Sequence, residues 1–322
     1  MPRGRFKQRS LAIIRYFLAP DNIFNYDEEQ LLNTRFLMNA SNHFAVYRTS
    51  IEQVMQGQER LPSLPDITFK IRRAAADNNT SIDDLARMIG QDPSLTVVIM
   101  QHSCSPLFKT LEPAKGLSDA IRLMGIPYVV NLVMIHSLKS LFIVQNPRLK
   151  ELFAISWKRL ALKASTSRFL AKKLGFSTPD EAFIASLLSE AGTLAILSAL
   201  SSEKQVPDQL TYLRLCRHYS KSLGTIILRK WNMEERYIDI AHNCGQWNQA
   251  YRSGPVDASD IVNLALYHSI CFLKKDHQLP PLTSLAIYQR LPKSLNLLDQ
   301  RGLLRLISSN LKEIVNAAQE MY

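Results

Sequence analysis

Residues 81–103, SIDDLARMIGQDPSLTVVIMQHS, carry two helix starts in succession, and their reading decides the fold class. Ser81 offers a side-chain oxygen to the free N–H groups of a first turn, and Asp83 and Asp84 follow where the helix dipole favours negative charge. Asp92-Pro93 repeats the device, with Asp92 as the cap and Pro93 in the first helical position. Upstream, Pro62 and Pro65 delimit a short extended lead-in, and a helix runs from there to the Asp77-Asn78-Asn79 break. Downstream, a short helix from Ser118 to Met124 stops at Gly125, and Pro127 opens a strongly apolar one through Phe142. A long amphipathic helix is predicted from Lys150 to Leu174, closed by Gly175. Thr178-Pro179-Asp180-Glu181 starts the next, EAFIASLLSEAGTLAILSAL, and helical patterns follow at Asp208–Trp231, Glu234–Asn243 and Ala258–Lys274. Pro280-Pro281 interrupts before a terminal helix from about Leu295 to Met321. No strand-like alternation persists, and no internal repeat is visible. The fold is predicted to be all-α.

Composition fits this. Apolar residues are 46% of the 322, enough for a substantial core, and only 11 are glycine, which favours helix over loop-rich sheet. Cys104, Cys216, Cys244 and Cys271 lie far apart with no C-x-x-C pair, so neither a zinc knuckle nor a disulfide framework is expected, and the thiols read as those of a cytoplasmic protein. The opening MPRGRFKQRSLAIIRYFLAP has a basic lead and an apolar run, but Arg15 interrupts the run and no small-residue cleavage site follows. Beyond it, Leu31, Leu32, Phe36 and Leu37 fall at helical spacing. The apolar stretch 126–144 approaches membrane-spanning length, yet Asn131, His136 and Lys139 make it a buried helix instead. No membrane association is expected.

The net charge of +11 is unevenly placed. Nine basic residues lie between Lys139 and Lys173 against the single acid Glu151, and Arg214, Arg217, Lys221, Arg229 and Lys230 form a second acid-free stretch. If the two helices are neighbours, Lys158, Lys163, Arg168, Lys172, Arg217 and Lys221 make a face for phosphate-bearing or acidic partners; a merely solvated surface is the alternative.

Leu61-Pro62-Ser63-Leu64-Pro65, Gln91-Asp92-Pro93-Ser94-Leu95 and Ala120-Ile121-Arg122-Leu123-Met124-Gly125, in this order and spacing, resemble the HDOD (HD-related output domain) family. Trp157, the EAFIASLLSEAG segment, Leu223-Gly224 and Trp231 fall where that family has its later landmarks, while His102-Ser103 departs from the family's Asn-Ser pair. The resemblance covers about residues 55–270. It implies an HD-like bundle of roughly ten to fourteen helices, divided as an N-terminal helical extension (1–54), the family domain (55–255) and C-terminal helices (256–322).

Catalytic relatives of this family hold metal with a His, an adjacent His-Asp pair and a distant Asp, which together activate water on a phosphoester. The resemblance aligns these positions with Arg159, Ser189-Glu190 and Leu266. Only Glu190 keeps a metal-binding group, so neither metal, cofactor nor catalysis is expected. Glu190 lies in an apolar segment and needs a partner, because a buried lone carboxylate is costly. An Arg159–Glu190 ion pair is one expectation; either side chain reaching solvent is the other. His102 with Cys104 is too small a set for a metal, His136 reads as a core histidine, and His242 is followed by Asn243 where relatives carry a second His. Ser189 has no identifiable base beside it. The expected role is a bacterial regulatory module acting through a protein partner; nucleic-acid or anionic-nucleotide binding is the second reading, and residual phosphohydrolysis the third.

Overall fold

The computed structural model describes residues 47–57, 63–105, 108, 114–141, 146–201, 203, 205–247, 254–273 and 279–322. The helical pattern at 31–37, the basic N-terminal tip and the Leu61-Pro62 half of the Leu-Pro lead-in lie outside them. Among the described residues there are helices and turns but no β-strand, only one isolated antiparallel bridge, Leu298 to Leu304. The all-α prediction holds.

The chain divides into two compact units. The smaller comprises residues 63–141; the larger takes residues 47–57 together with 146–322. Neither boundary coincides with the sequence division at 54 and 255, which marks out a family region rather than a compact body.

The larger unit begins with helix α1 (residues 47–55), whose Tyr47, Ser50, Ile51 and Val54 are buried at the spacing of one helical face. The smaller unit then holds α2 (Asp66–Ala76), α3 (Ile82–Ile89), α4 (Pro93–Ser103), α5 (Leu117–Met124) and α6 (Ile126–Ser140). Both predicted starts are present. The Ser81 hydroxyl accepts from Asp84 N–H while the Asp84 carboxylate accepts from Ser81 N–H. The Asp92 carboxylate accepts from the N–H groups of Ser94 (2.8 Å) and Leu95 (3.2 Å). Ile71, Leu85, Ile89, Leu95, Ile99, Ile121 and Val133 form this unit's core. Gly125, at φ 83°, makes the turn from α5 into α6, and most of α6 is buried, as its apolar sequence requires.

The larger unit is built on α7 (Pro147–Lys173), 27 residues and about 40 Å long. Against it pack α8 (Pro179–Leu188), α9 (Ala191–Ser201), α12 (Ala258–Phe272) and α15 (Leu311–Gln319). Its residues 160–167 are all buried, so α7 is enclosed rather than amphipathic, a departure from the sequence expectation. Between the two groups in sequence lie α10 (Gln209–Lys230), capped by Asp208 at the Thr211 N–H (2.7 Å), and α11 (Glu235–Asn243). Helices α9 and α10 meet backbone to backbone: a Cβ built on Gly192 would lie 1.7 Å from the Ser220 carbonyl oxygen.

Two helices were expected to be longer. The run from Pro179 to Ser201 breaks at Ser189-Glu190 into α8 and α9. This run is also long and apolar enough to cross a membrane, but 89% of its most apolar window is buried inside the protein. The predicted helix from Leu295 becomes α14 (Arg305–Ser309) and α15, after a short 3-10 turn (Leu282–Ser284) and α13 (Ala286–Arg290). Residues 297–305 instead fold back on themselves. The Asp299 carboxylate accepts from Arg301 and Leu303 N–H, Gly302 takes φ 75°, and Arg305 N–H donates to the Leu297 carbonyl. Buried His268 of α12 secures this turn: its Nδ1 donates to the Leu264 carbonyl (2.7 Å) and its Nε2 accepts from Leu304 N–H (3.1 Å). The indole of Trp157 donates to the Met321 carbonyl, holding the last helix on α7.

Candidate functional site

Arg159 and Lys163 are four residues apart on α7, so both side chains leave the same face of the helix. Opposite them, the break between α8 and α9 presents Ser189 and Glu190, and the end of α11 brings in Cys244. The Glu190 carboxylate receives three donors. Arg159 Nη2 donates to Oε2 at 2.7 Å, Lys163 Nζ to Oε1 at 2.7 Å, and Thr193 Oγ1 to Oε2 at 3.0 Å. The expected Arg159–Glu190 ion pair is therefore formed, and Lys163 joins it. Burial alone would raise the Glu190 carboxyl; the charges and hydrogen bonds of Arg159 and Lys163 outweigh it and hold the group at about 2. Arg159 is in turn raised, chiefly by Glu190, against the effect of burial.

Lys163 is 0% exposed. Its ammonium has three protons and meets three acceptors: Glu190 Oε1, Ser189 Oγ at 2.7 Å and Cys244 Sγ at 3.7 Å. Ser189 Oγ meanwhile donates to the Ser186 carbonyl at 2.8 Å. With its proton on a carbonyl and a cation on its oxygen, Ser189 is not placed as a nucleophile. Around Arg159 stand Tyr212, hydrogen-bonded to Ser156 at 2.7 Å, and Cys216, whose thiol burial pushes up to about 12. Leu266 approaches the same region through the backbone of Gly245, whose Cβ, if it had one, would sit 3.4 Å from Leu266 Cδ2. Three of the four positions aligned with metal ligands are thus gathered in one place, and Leu266 lies beside Gly245, the residue that follows Cys244.

These residues do not fit a divalent metal. Protonated lysine and arginine have no lone pair to offer, and Leu266 has no donor atom. Among the described residues no three His, Cys, Asp or Glu side chains gather as a metal requires. His242 is exposed, and Cys104, close to His102 in sequence, is exposed as well.

The basic face is corrected at two positions. Lys158 (7% exposed) and Lys163 are buried, because α7 is enclosed by other helices on several sides. Arg168 pairs with Asp180 at 2.9 Å. Lys172 and Arg217 are exposed and Lys221 is half-buried. Sequence reasoning had placed Lys163 on this face and missed Cys244. The available signal was the i, i+4 step from Arg159 and the apolar run Leu160, Ala161, Leu162, Ala164 around it, which leaves a lysine no route to solvent.

Comparison with known proteins agrees with this architecture. A protein of Treponema pallidum (strain Nichols) with no assigned function is 20% identical over 250 residues; the match spans 73% of this chain but only 45% of that one. Among solved structures, a Shewanella amazonensis SB2B protein provisionally called a metal-dependent phosphohydrolase superposes with TM-score 0.63 at 18% identity, covering 88% of this chain and 99% of its own. An HDOD domain protein of unknown function from Geobacter sulfurreducens superposes with TM-score 0.58 at 19% identity, covering 86% and 99%. A Marinobacter aquaeolei VT8 protein provisionally called a signal transduction protein gives TM-score 0.57 at 18% identity, covering 86% and 66%. The HDOD domain matches residues 61–246, more than half the chain, from the Leu-Pro lead-in past Cys244, and the protein belongs to the HDOD domain family.

Proposed function

We propose that this protein is a regulatory HDOD module that works by binding a protein partner and does not hydrolyse phosphoesters. One observation carries the reading: the only carboxylate at the former metal positions, Glu190, is neutralised by Arg159 and Lys163. A site in which fixed cations occupy the carboxylate has nothing left to hold a metal and no base to activate water. The signalling name carried by a structural relative is in keeping with a regulatory role.

The test is an assay of the purified protein on bis(p-nitrophenyl) phosphate with manganese, magnesium or ferrous iron added. No turnover is expected; turnover that Glu190→Gln abolishes would overturn the proposal. A parallel pull-down from the native host, with exposed Lys172 and Arg217 and half-buried Lys221 replaced by Gln, asks whether these basic residues take part in partner binding.

The second reading, binding of an anionic nucleotide or nucleic acid by exposed basic residues, rests on the net charge of +11 and the exposure of Lys172 and Arg217. It predicts that binding of a labelled oligonucleotide weakens steeply with salt, since each phosphate contact releases counterions. Binding that is absent, or indifferent to salt, removes it.

A further inference from the structure

We infer that the Lys163 ammonium is a built-in replacement for the metal cation of this fold, tethered to α7 and held by donors of the kind a metal would use. The inference rests on the proposed non-catalytic reading of the site but concerns what holds it together, so its test is stability and metal content, not partner binding.

Three observations point the same way. The ammonium lies among a carboxylate oxygen, a hydroxyl and a thiol, contributed by the α8–α9 break and the end of α11. It thereby joins the three elements that a metal would otherwise have to join. Lys163 is wholly buried in the middle of the enclosed part of α7, a position where an unpaired lysine would not be tolerated. Finally, Arg159, Ser189 and Glu190, three of the four positions aligned with metal ligands, gather at the place it occupies, although only Glu190 could serve a metal. A fixed cation removes the need for exchangeable metal, and with it the open coordination position that catalysis needs.

If this is so, removing the ammonium should leave a site that answers to a small organic cation. Lys163→Ala leaves the Glu190 carboxylate, the Ser189 hydroxyl and the Cys244 thiol facing the vacated volume, three acceptors that a free alkylammonium ion can meet as the lysine did. The variant is expected to unfold about 10 °C below the intact protein, the range for breaking a buried pair in a body of this size. Added propylammonium chloride should recover part of that loss, while sodium chloride at the same concentration should not. The intact protein should gain nothing from propylammonium, carry no stoichiometric transition metal as purified, and show the same unfolding curve in EDTA. The double variant Lys163→Ala/Glu190→Gln should lose the propylammonium response. Indifference of Lys163→Ala to propylammonium, an equal response in the double variant, or a stoichiometric metal in the intact protein would each overturn the inference. Should Lys163→Ala be insoluble, the metal content and EDTA response of the intact protein decide the matter alone.

Discussion

Glu190 is bonded from three sides, and its two cationic partners differ in what they can do without it. Arg159 keeps part of its side chain at the surface (29% exposed), whereas Lys163 has no solvent at all. Glu190→Gln therefore strands a buried ammonium and should cost roughly 3–5 kcal/mol in urea unfolding. Arg159→Ala should cost clearly less, because Lys163 still neutralises the carboxylate. Because the folded carboxyl is held at about 2, against 4.5 for an ordinary glutamate, its contribution is whole above pH 4.5 and is lost as pH falls toward 2. His268 acts at milder pH. Burial lowers its pKa to about 4 from 6.5, outweighing the Leu264 hydrogen bond and the Asp299 carboxylate, which favour the protonated ring. The unfolded chain thus binds a proton between pH 6.5 and 4 that the folded one refuses. Stability should fall by about 3 kcal/mol across that window. His268→Gln, which cannot titrate there, should show a flatter profile in the same urea series.

At the scale of elements, α9 and α10 approach each other at the most crowded of the glycines among the described residues, Gly192. Gly192→Ala places a methyl inside the Ser220 carbonyl and should destabilise by about 3 kcal/mol or more, since backbone cannot yield as a side chain does. Gly224→Ala meets its nearest atom only at 3.4 Å and gains helix propensity, so it should stay within about 1 kcal/mol of the intact protein. Chemical denaturation of the two variants side by side checks the contrast. Elements were legible in the sequence wherever a local signal fixes them: Ser81, Asp92 and Asp208 are caps because their side chains bond the next turn's N–H groups. The rest depended on distant packing. The enclosure of α7 erases the polar face that periodicity looks for, and the break at Ser189-Glu190 contains neither Gly nor Pro. The C-terminal turn had its marker in Gly302, but the partner that stabilises it, His268, is 36 residues away. For the site, Arg159, Ser189, Glu190 and Leu266 were readable from the family pattern. Lys163 was not, because a lysine in a basic stretch reads as surface until its neighbours are placed around it.

On the scale of the whole molecule, the larger unit is discontinuous in sequence, and α1 belongs to it rather than to the smaller unit that follows directly in the chain. The Ser50 hydroxyl donates to Glu203, and Tyr219 bonds Glu52, so α1 is tied to the chain some 150 residues later. Ile51 is 0% exposed, and Ile51→Ala should cost roughly 2–5 kcal/mol. Hydrogen exchange should locate that loss: amides of α7 and α10 become faster, while those of α2–α6 keep their protection. Equal loss in both units would show that they unfold together. The same discontinuity sets an order of events during synthesis. Residues 63–141 are contiguous and can fold as they emerge, but Glu203 and Tyr219, the partners of α1 named above, come only with the approach to α10 and α10 itself. At ribosomal speed this leaves its apolar face waiting on the order of 10 s. For that interval α1 is a natural client for a chaperone.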